Sequence, residues 1–429
     1  MAKTTDYSLR KESIYQIFPR VYSKQGNLKA VENDLERIKN MGFKWLYFLP
    51  LHEPGILNRK GTLGSPYSIR DYYRIDPDYG TFDDFKSLIE KAHEMDMKIM
   101  MDIVINHTAC DAVWVDTNPE FYLLDNEGKP TRKVADWSDI LDLDYSNETL
   151  KEELLKMLEF WATNGVDGFR CDVAPLVNID FWNRARKRLK TVNPDFILLA
   201  ESGEEKFIEA LREERVDVLT DNELYEAFDV CYCYDVIDYI KKAFDVNYDL
   251  REFANVLNYQ QIMLPENAVK CWFVENHDID RVMNCVNDIN RAENWMAFIL
   301  LMKGMGFVYA GQEFYNSARP SLFEKEDIDW STRNIQFENQ IGRINKIKSE
   351  MFSDDEYVTL KMIPYSDILA FRQFDNQSAY LGFFDIKGLK KKVNIDFLDG
   401  IYTNLIDDTG VEIKDGMIKV DRPILIKIR

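Results

Sequence analysis

One rhythm dominates this chain. Short apolar runs alternate with stretches whose apolar residues recur every three or four positions. The runs fall at 13–18, 45–50, 98–106, 168–174, 196–202, 227–236, 269–276 and 307–313. After the first run, Leu28, Val31, Leu35, Ile38 and Met41 lie on one helical face, and Gly42 can end that helix. After the second, Thr81 caps a helix carrying Phe85, Leu88, Ile89, Ala92 and Met95. Helical patterns also cover 149–163, 180–192 and 290–303. Fully apolar strands alternating with amphipathic helices predict a parallel sheet covered by helices. Eight such units predict an α/β fold closed as a (β/α)8 TIM barrel.

Two segments break the rhythm. Residues 107–146 separate the third strand from its helix and carry turn signals such as "DNEGKP". That length predicts a small insertion after strand three. From about Glu356 the pattern changes to short strands with turns: "YVTLKMIPY", "ILAFRQF", "SAYLGFFDI" and "MIKVDRPILIKI". This predicts a C-terminal antiparallel β domain, sandwich-like, over 351–429. The barrel then comprises 1–106 and 147–350, with the inserted subdomain at 107–146. Such a division suits 429 residues, too many for one simple core.

Charge narrows the partners. Lys and Arg number 54 against 74 Asp and Glu, a net charge of −20. An acidic surface repels phosphate backbones and anionic lipids, which argues against nucleic acid and membranes and for a neutral substrate. No apolar run has the length of a signal peptide or a membrane span. Cys110, Cys171, Cys231, Cys233, Cys271 and Cys285 show neither a paired framework nor a CxxC, so they are expected to be reduced. A cytoplasmic location is the expectation. The oligomeric state is not legible.

The chemistry lies in "VDGFRCDVA" (166–174). Arg170 and Asp172 are two residues apart in a run that otherwise reads as buried, so they share one strand face. A purely structural ion pair is one account, but burying a pair costs much desolvation for little net stability. In barrels of this kind, working residues gather at the C-terminal strand ends. Those ends carry Asn106 and His107, then Arg170 and Asp172, then Glu201, and finally Asn276, His277 and Asp278. Three carboxylates and two histidines would converge on one rim. Two carboxylates flanking a bond, one nucleophilic and one holding a proton, are the equipment of a retaining glycosidase, with carboxyl groups about 5–5.5 Å apart. Arg170 can hold Asp172 ionised and oriented.

These motifs resemble the α-amylase family of glycoside hydrolases (family 13) over nearly the whole chain. "DIVINH" (102–107), "GFRCDVA" (168–174), "LLAES" (198–202) and "FVENHD" (273–278) are similar to its four conserved regions, in order. "GFKWLYFLP", "SPYSIRDYYRIDPDYGTFDDF" and "GMGFVYAGQEF" resemble accessory regions. The resemblance implies catalytic roles for Asp172 as nucleophile, Glu201 as general acid and base, and Asp278 as stabiliser of the transition state. It implies substrate-binding roles for Tyr67, His107, Arg170 and His277, and a buried structural role for Asp102. Gln312 and Glu313 lie on the same rim and read as structural. No cofactor is required. Asn106 is a calcium ligand in some relatives, which leaves calcium open, but no further metal ligands can be located. Pro175, Leu176 and Val177 replace a Lys-His pair common in relatives. Ser68 follows Tyr67 where Asp is usual, Ser202 and Gly203 follow Glu201 without an aromatic platform, and Gly306 stands where Pro is frequent.

The expected function is a retaining hydrolase of α-glucosidic bonds in malto-oligosaccharides or related α-glucans. A transglycosylase on the same scaffold is the alternative, since both use the same residues. A barrel that binds carbohydrate or acts as a chaperone without catalysis fits less well, because all three carboxylates are present. Bond preference and endo or exo action are not legible in the motifs.

Overall fold

The computed structural model describes residues 5–134, 136–352 and 358–429. Eight parallel strands close a barrel: β1 (Ser13–Ile17), β2 (Trp45–Phe48), β3 (Lys98–Ile103), β4 (Gly168–Cys171), β5 (Ile197–Ala200), β6 (Val230–Tyr232), β7 (Val269–Trp272) and β8 (Met305–Tyr309). Each strand pairs with its neighbours in sequence, and β8 returns to β1 through Ser13↔Gly306 and Gln16↔Tyr309. The expected eight-stranded barrel is therefore present.

The strands are shorter than the apolar runs that announce them. β3 stops at Ile103, although the run continues to Asn106, and β7 stops at Trp272 rather than Asn276. β8 begins at Met305, two residues before its run. The surplus apolar residues line the loops that carry the site, where burial persists after strand pairing has ended. The helix expected over 28–41 is divided into Leu28–Glu32 and Leu35–Asn40. Its apolar face continues across the break, but Asp34 turns its carboxylate to Arg37 and Tyr22. Thr81 does cap Phe82–Glu94, in a reciprocal capping box with Asp84. The helix Glu148–Thr163 ends at Gly165, whose φ of +100° permits the turn into β4.

Two excursions rise from the C-terminal face. Residues 107–146 form a hairpin of His107–Ala109 with Ile140–Asp142, and a short helix Val113–Thr117. The second, residues 49–80 after β2, was not anticipated. It holds bridges His52↔Ile75 and Pro54↔Ile69, and it docks on the first through Ala109 N–H to Ile69 O (2.8 Å). It is shorter than 107–146, whose length and turn signals made that insertion readable.

After the helix Ile335–Met351 the chain builds two four-stranded antiparallel sheets. The boundary expected at Glu356 lies outside the described residues. One sheet comprises Thr359–Ile363, Leu369–Phe374, Ala379–Phe384 and Ile424–Lys427; the other comprises Lys392–Asn394, Gly400–Thr403, Gly410–Lys414 and Met417–Lys419. Ala370, Leu381, Phe383, Val393, Ile413, Ile418 and Ile424 fill the space between them. Leu360, Phe371 and Phe384, on the opposite face of the first sheet, join the barrel's core. All six cysteines are free thiols. Among the described residues no helix is long and apolar enough to cross a membrane.

Candidate active site

Strand register assembles the site. Asp102 on β3 pairs with Arg170 on β4, and Cys171 pairs with Ala200 on β5. The next residues along, Asp172 and Glu201, are therefore neighbours at the C-terminal rim. Glu201 N–H donates to Cys171 O (3.1 Å) and Asp172 N–H to Ile103 O (2.9 Å), which fixes both backbones.

Arg170 is fully buried beneath them. Its Nη1 donates to both carboxylate oxygens of Asp102 (3.0 and 3.1 Å) and to Oδ1 of Asp172 (2.9 Å). Its Nη2 makes an ion pair with Oε1 of Glu201 (2.8 Å). One guanidinium thus contacts three carboxyl groups, two of them at the working rim. Asp102 also accepts from the Tyr47 hydroxyl (2.6 Å) and the Tyr67 hydroxyl (2.9 Å). That leaves it a buried scaffold.

Burial pushes the Asp172 carboxyl well above the ordinary range, and the neighbouring Glu201 adds to this against the pull of Arg170. Burial likewise raises Glu201; Arg170 opposes the rise and Asp278 reinforces it. The two act as a pair that retains a proton more readily than isolated carboxylates. Asp278 behaves oppositely. Burial pushes it up, but the charge and hydrogen bond of His277, with Arg170 and Arg319 beyond, hold it at about 2. Its side chain is 43% exposed, against 10% for Asp172 and 14% for Glu201, so it stands at the mouth while they sit deeper.

His277 is held on both sides. The Gln16 amide meets its Nδ1 (2.8 Å), and its Nε2 faces Asp278 Oδ2 (3.0 Å) and the Tyr67 hydroxyl (2.5 Å). The Tyr67 ring stacks on His277, with centroids 5.4 Å apart and planes at 14°. Asn276 Oδ1 accepts from Asp278 N–H (2.8 Å) and Ile279 N–H (2.9 Å), setting the turn that presents Asp278. Burial lowers His107 to about 4, so its ring is neutral at pH 7.

Tyr67, His107, Asp172, Glu201 and Asp278 line one cavity of about 240 Å³. Arg170 forms its floor, and His277 supports the wall behind Tyr67. The seven residues to which the resemblance gives catalytic or substrate-binding roles thus lie in or directly against this cavity, whereas Glu313 bonds Tyr15 and Arg37 instead. Sequence reasoning missed three kinds of contributor. Trp137 from the insertion lies beside His107 (centroids 5.6 Å) and lines the cavity. Lys60, from the excursion after β2, and Phe323, from the segment after β8, line it as well. Val173 takes a left-handed backbone (φ +35°, ψ +46°) and donates its N–H to Glu201 Oε2 (2.7 Å). No residue-type signal marks Val for that conformation.

On the leaving-group side, Val173 and Leu176 pack with Trp137, Phe207 and Ile208. An apolar surface with two aromatics therefore stands where the sequence showed no platform directly after Glu201.

The donor set for calcium is short. Asn106 Oδ1 is buried without a partner, a suitable oxygen. Its neighbour Asp142 is engaged by the Lys133 N–H (2.9 Å), and among the described residues no three His, Cys, Asp or Glu side chains are grouped so as to hold a metal ion. Calcium takes about six to eight oxygens, which these residues do not fit.

Residues 13–138 and 134–359 match the family description "Alpha amylase, catalytic domain", and 364–426 match "Bacterial Alpha amylase C-terminal domain". An α-amylase crystal structure from Lactobacillus plantarum is 39% identical, with a TM-score of 0.93, covering 99% of this chain and 100% of that one. The structure of a noncanonic maltogenic α-amylase from Thermotoga neapolitana is 31% identical, with a TM-score of 0.85, covering 98% and 99%. Alpha-amylase 3 of Dictyoglomus thermophilum is 27% identical over 74% of this chain and 67% of its own length. The chain belongs to the α-amylase family.

Proposed function

We propose that this enzyme hydrolyses α-glucosidic bonds in short α-glucans with retention, through a covalent intermediate on Asp172. The observation that carries the reading is the contact of Arg170 with both Asp172 and Glu201 in the cavity that Asp278 also lines. Asp172 attacks the anomeric carbon as Glu201 gives its proton to the glycosidic oxygen, and the carbon–oxygen bond to the leaving sugar breaks. Glu201, now ionised, takes a proton from water. That water displaces Asp172 from the anomeric carbon, and Glu201 regains its proton.

Arg170 holds Asp172 in its attacking position and favours its ionised form. Asp278, kept anionic by its low pKa, stabilises positive charge developing on the ring and accepts from sugar hydroxyls. His277 and neutral His107 serve as hydroxyl donors. The Tyr67 ring, already stacked on His277, presents an apolar face to the sugar.

A second reading, transfer of the glycosyl group to a sugar hydroxyl, draws support from the aromatic leaving-group side, where Trp137 and Phe207 can hold an acceptor sugar against water. Products longer than the substrate in excess maltose would mark it.

The test of the assignment is Glu201→Gln. An activated aryl α-glucoside needs little protonation to leave, so its first step survives, while the second lacks its base. A glycosyl adduct should accumulate, and peptide mass spectrometry should place it on Asp172. An adduct elsewhere, or near-unchanged turnover of maltotriose, overturns the assignment.

A further inference from the structure

The cavity is asymmetric about the bond it cleaves. Barrel order puts β4 and β5 side by side on one arc, with β8, β1 and β2 on the arc facing them. Glu201 on the β5 end protonates the leaving sugar, so that sugar departs over β4 and β5. The ring attacked by Asp172 then points its far end, the non-reducing end, toward the β8–β1–β2 arc.

That arc is shut by the loop at 59–65, which is fastened on both flanks. Toward the insertion, Lys60 Nζ makes an ion pair with Asp139 Oδ1 (3.1 Å), and Ser68 Oγ donates to Asp139 O (2.8 Å). Toward the loop after β8, Leu63 N–H donates to Phe323 O (3.0 Å) and Thr62 N–H to Glu324 Oε1 (3.0 Å). Beneath them Arg20, 4% exposed, joins the two loops with one nitrogen: Nη1 donates to Gly64 O (2.8 Å) and Leu322 O (2.7 Å). The seat is tight. Gly61 has φ +64°, and a Cβ there would lie 2.6 Å from Phe323 Cβ. A buried arginine spent on two loop carbonyls and a glycine with no room for a methyl describe a wall built into the fold. The cavity behind it, about 240 Å³, is smaller than the roughly 300–1,000 Å³ of most small-molecule sites.

We propose that this wall, with Lys60 and Phe323 at its inner face, ends the substrate groove one sugar beyond the cleaved bond. The enzyme then acts from the non-reducing end and releases single hexoses. A further sugar attached at that end would have to pass through the Lys60–Asp139 pair or the Leu63–Phe323 contact. The inference rests on the hydrolytic reading above and adds the substrate's end-specificity to it.

Two 4-nitrophenyl maltoheptaosides decide it, one with a free non-reducing end and one with that end capped by an ethylidene group. The free substrate should be trimmed with glucose as the first product. The capped one should react about a hundredfold more slowly or worse. Equal rates on the two, or maltose and larger fragments as first products, overturn the wall while leaving the hydrolytic reading standing. No cleavage of either substrate sinks both. Lys60→Ala with Phe323→Ala, or Lys60→Ala alone where the double variant does not fold, should raise the capped-to-free rate ratio. A folded variant with an unchanged ratio counts against the wall.

Discussion

Two buried arginines organise the barrel's upper half, and they differ in what surrounds them. Arg37 meets Asp34 through Nε (2.8 and 3.0 Å), Glu313 (2.9 Å) and Glu338 (3.3 Å) through Nη1, and the hydroxyls of Tyr15 and Tyr22 through Nη2 (3.0 and 3.1 Å). Arg333 adds a second cation to Glu338. Three carboxylates there answer to two arginines, and each guanidinium nitrogen of Arg37 has a partner. Arg170 also meets three carboxyl groups, but among the described residues it is their only arginine, and its Nε has no hydrogen-bond partner there. Both are conspicuous ion clusters in a mostly apolar interior. A buried cluster is therefore no mark of function by itself. The distinguishing feature is negative charge in excess of its cation, facing a cavity. That imbalance, together with burial, raises the Asp172 and Glu201 carboxyls.

The comparison breaks hardest at the two carboxylates. Asp172→Asn removes the nucleophile, and activity on maltotriose should fall by about four orders of magnitude. Stability should move the other way. A carboxyl whose folded pKa is raised costs stability as pH climbs from the ordinary carboxylate range through the raised value. The amide removes that cost, so above that window the variant should melt at the same temperature or higher. The wild-type rate should follow a bell. It falls at low pH as Asp172 takes up a proton and at high pH as Glu201 loses its own, with both limbs displaced upward. A variant that melts well below wild type would show that Asp172, like its counterpart around Arg37, is structural.

Glu313→Gln tests the other cluster. Glu313 Oε1 accepts from Tyr15 (2.5 Å) and Arg37, and Oε2 accepts from Gly311 N–H (2.8 Å). An amide must turn an NH2 toward one of these donors. Breaking a buried charged pair costs about 3–5 kcal/mol, read from denaturant unfolding. The rate per folded molecule should stay near wild type. Loss of rate without loss of stability would erase the distinction between the clusters.

The sequence carried most of this because period and register are local. Alternating runs set the eight strands, and the i, i+2 spacing of Arg170 and Asp172 placed them on one face before any fold was known. His107 and His277 were legible from the NH and NHD contexts that follow two apolar runs. What stayed hidden depends on contacts between distant segments. The split at Asp34 arises because its carboxylate finds Arg37 and Tyr22, whereas the apolar face runs on unbroken. The loop over 49–80 has no strand-length pattern, and its seat is made by Arg20 and Phe323 from opposite ends of the chain. Trp137 reaches the cavity only because the insertion folds back through Ile140–Asp142.

The smallest effect is the most diagnostic of how the site differs from an inert ion cluster. Val173 follows the nucleophile in a left-handed conformation, which costs a residue with a Cβ about 1–2 kcal/mol. A β-branched side chain makes it a clear outlier. The conformation aims its N–H at Glu201 Oε2, 2.7 Å away, and no other backbone N–H restrains that carboxyl's oxygens among the described residues. Val173→Gly relieves the strain but loosens the unfolded chain by about 0.4–1 kcal/mol and gives up packing on Trp137 and Leu176. Melting should therefore shift little in either direction. The rate should fall only a few-fold, because Glu201 keeps its proton but loses its fixed aim. The pH profile separates this from plain packing. A hydrogen bond to the ionised carboxylate lowers its pKa, so a looser N–H lets that pKa rise. The alkaline limb should then move to higher pH, and the loss should be larger for maltotriose than for an aryl glucoside that leaves without a proton. Were Val173 only a packing residue, the alkaline limb would stay where wild type has it, and both substrates would slow in proportion.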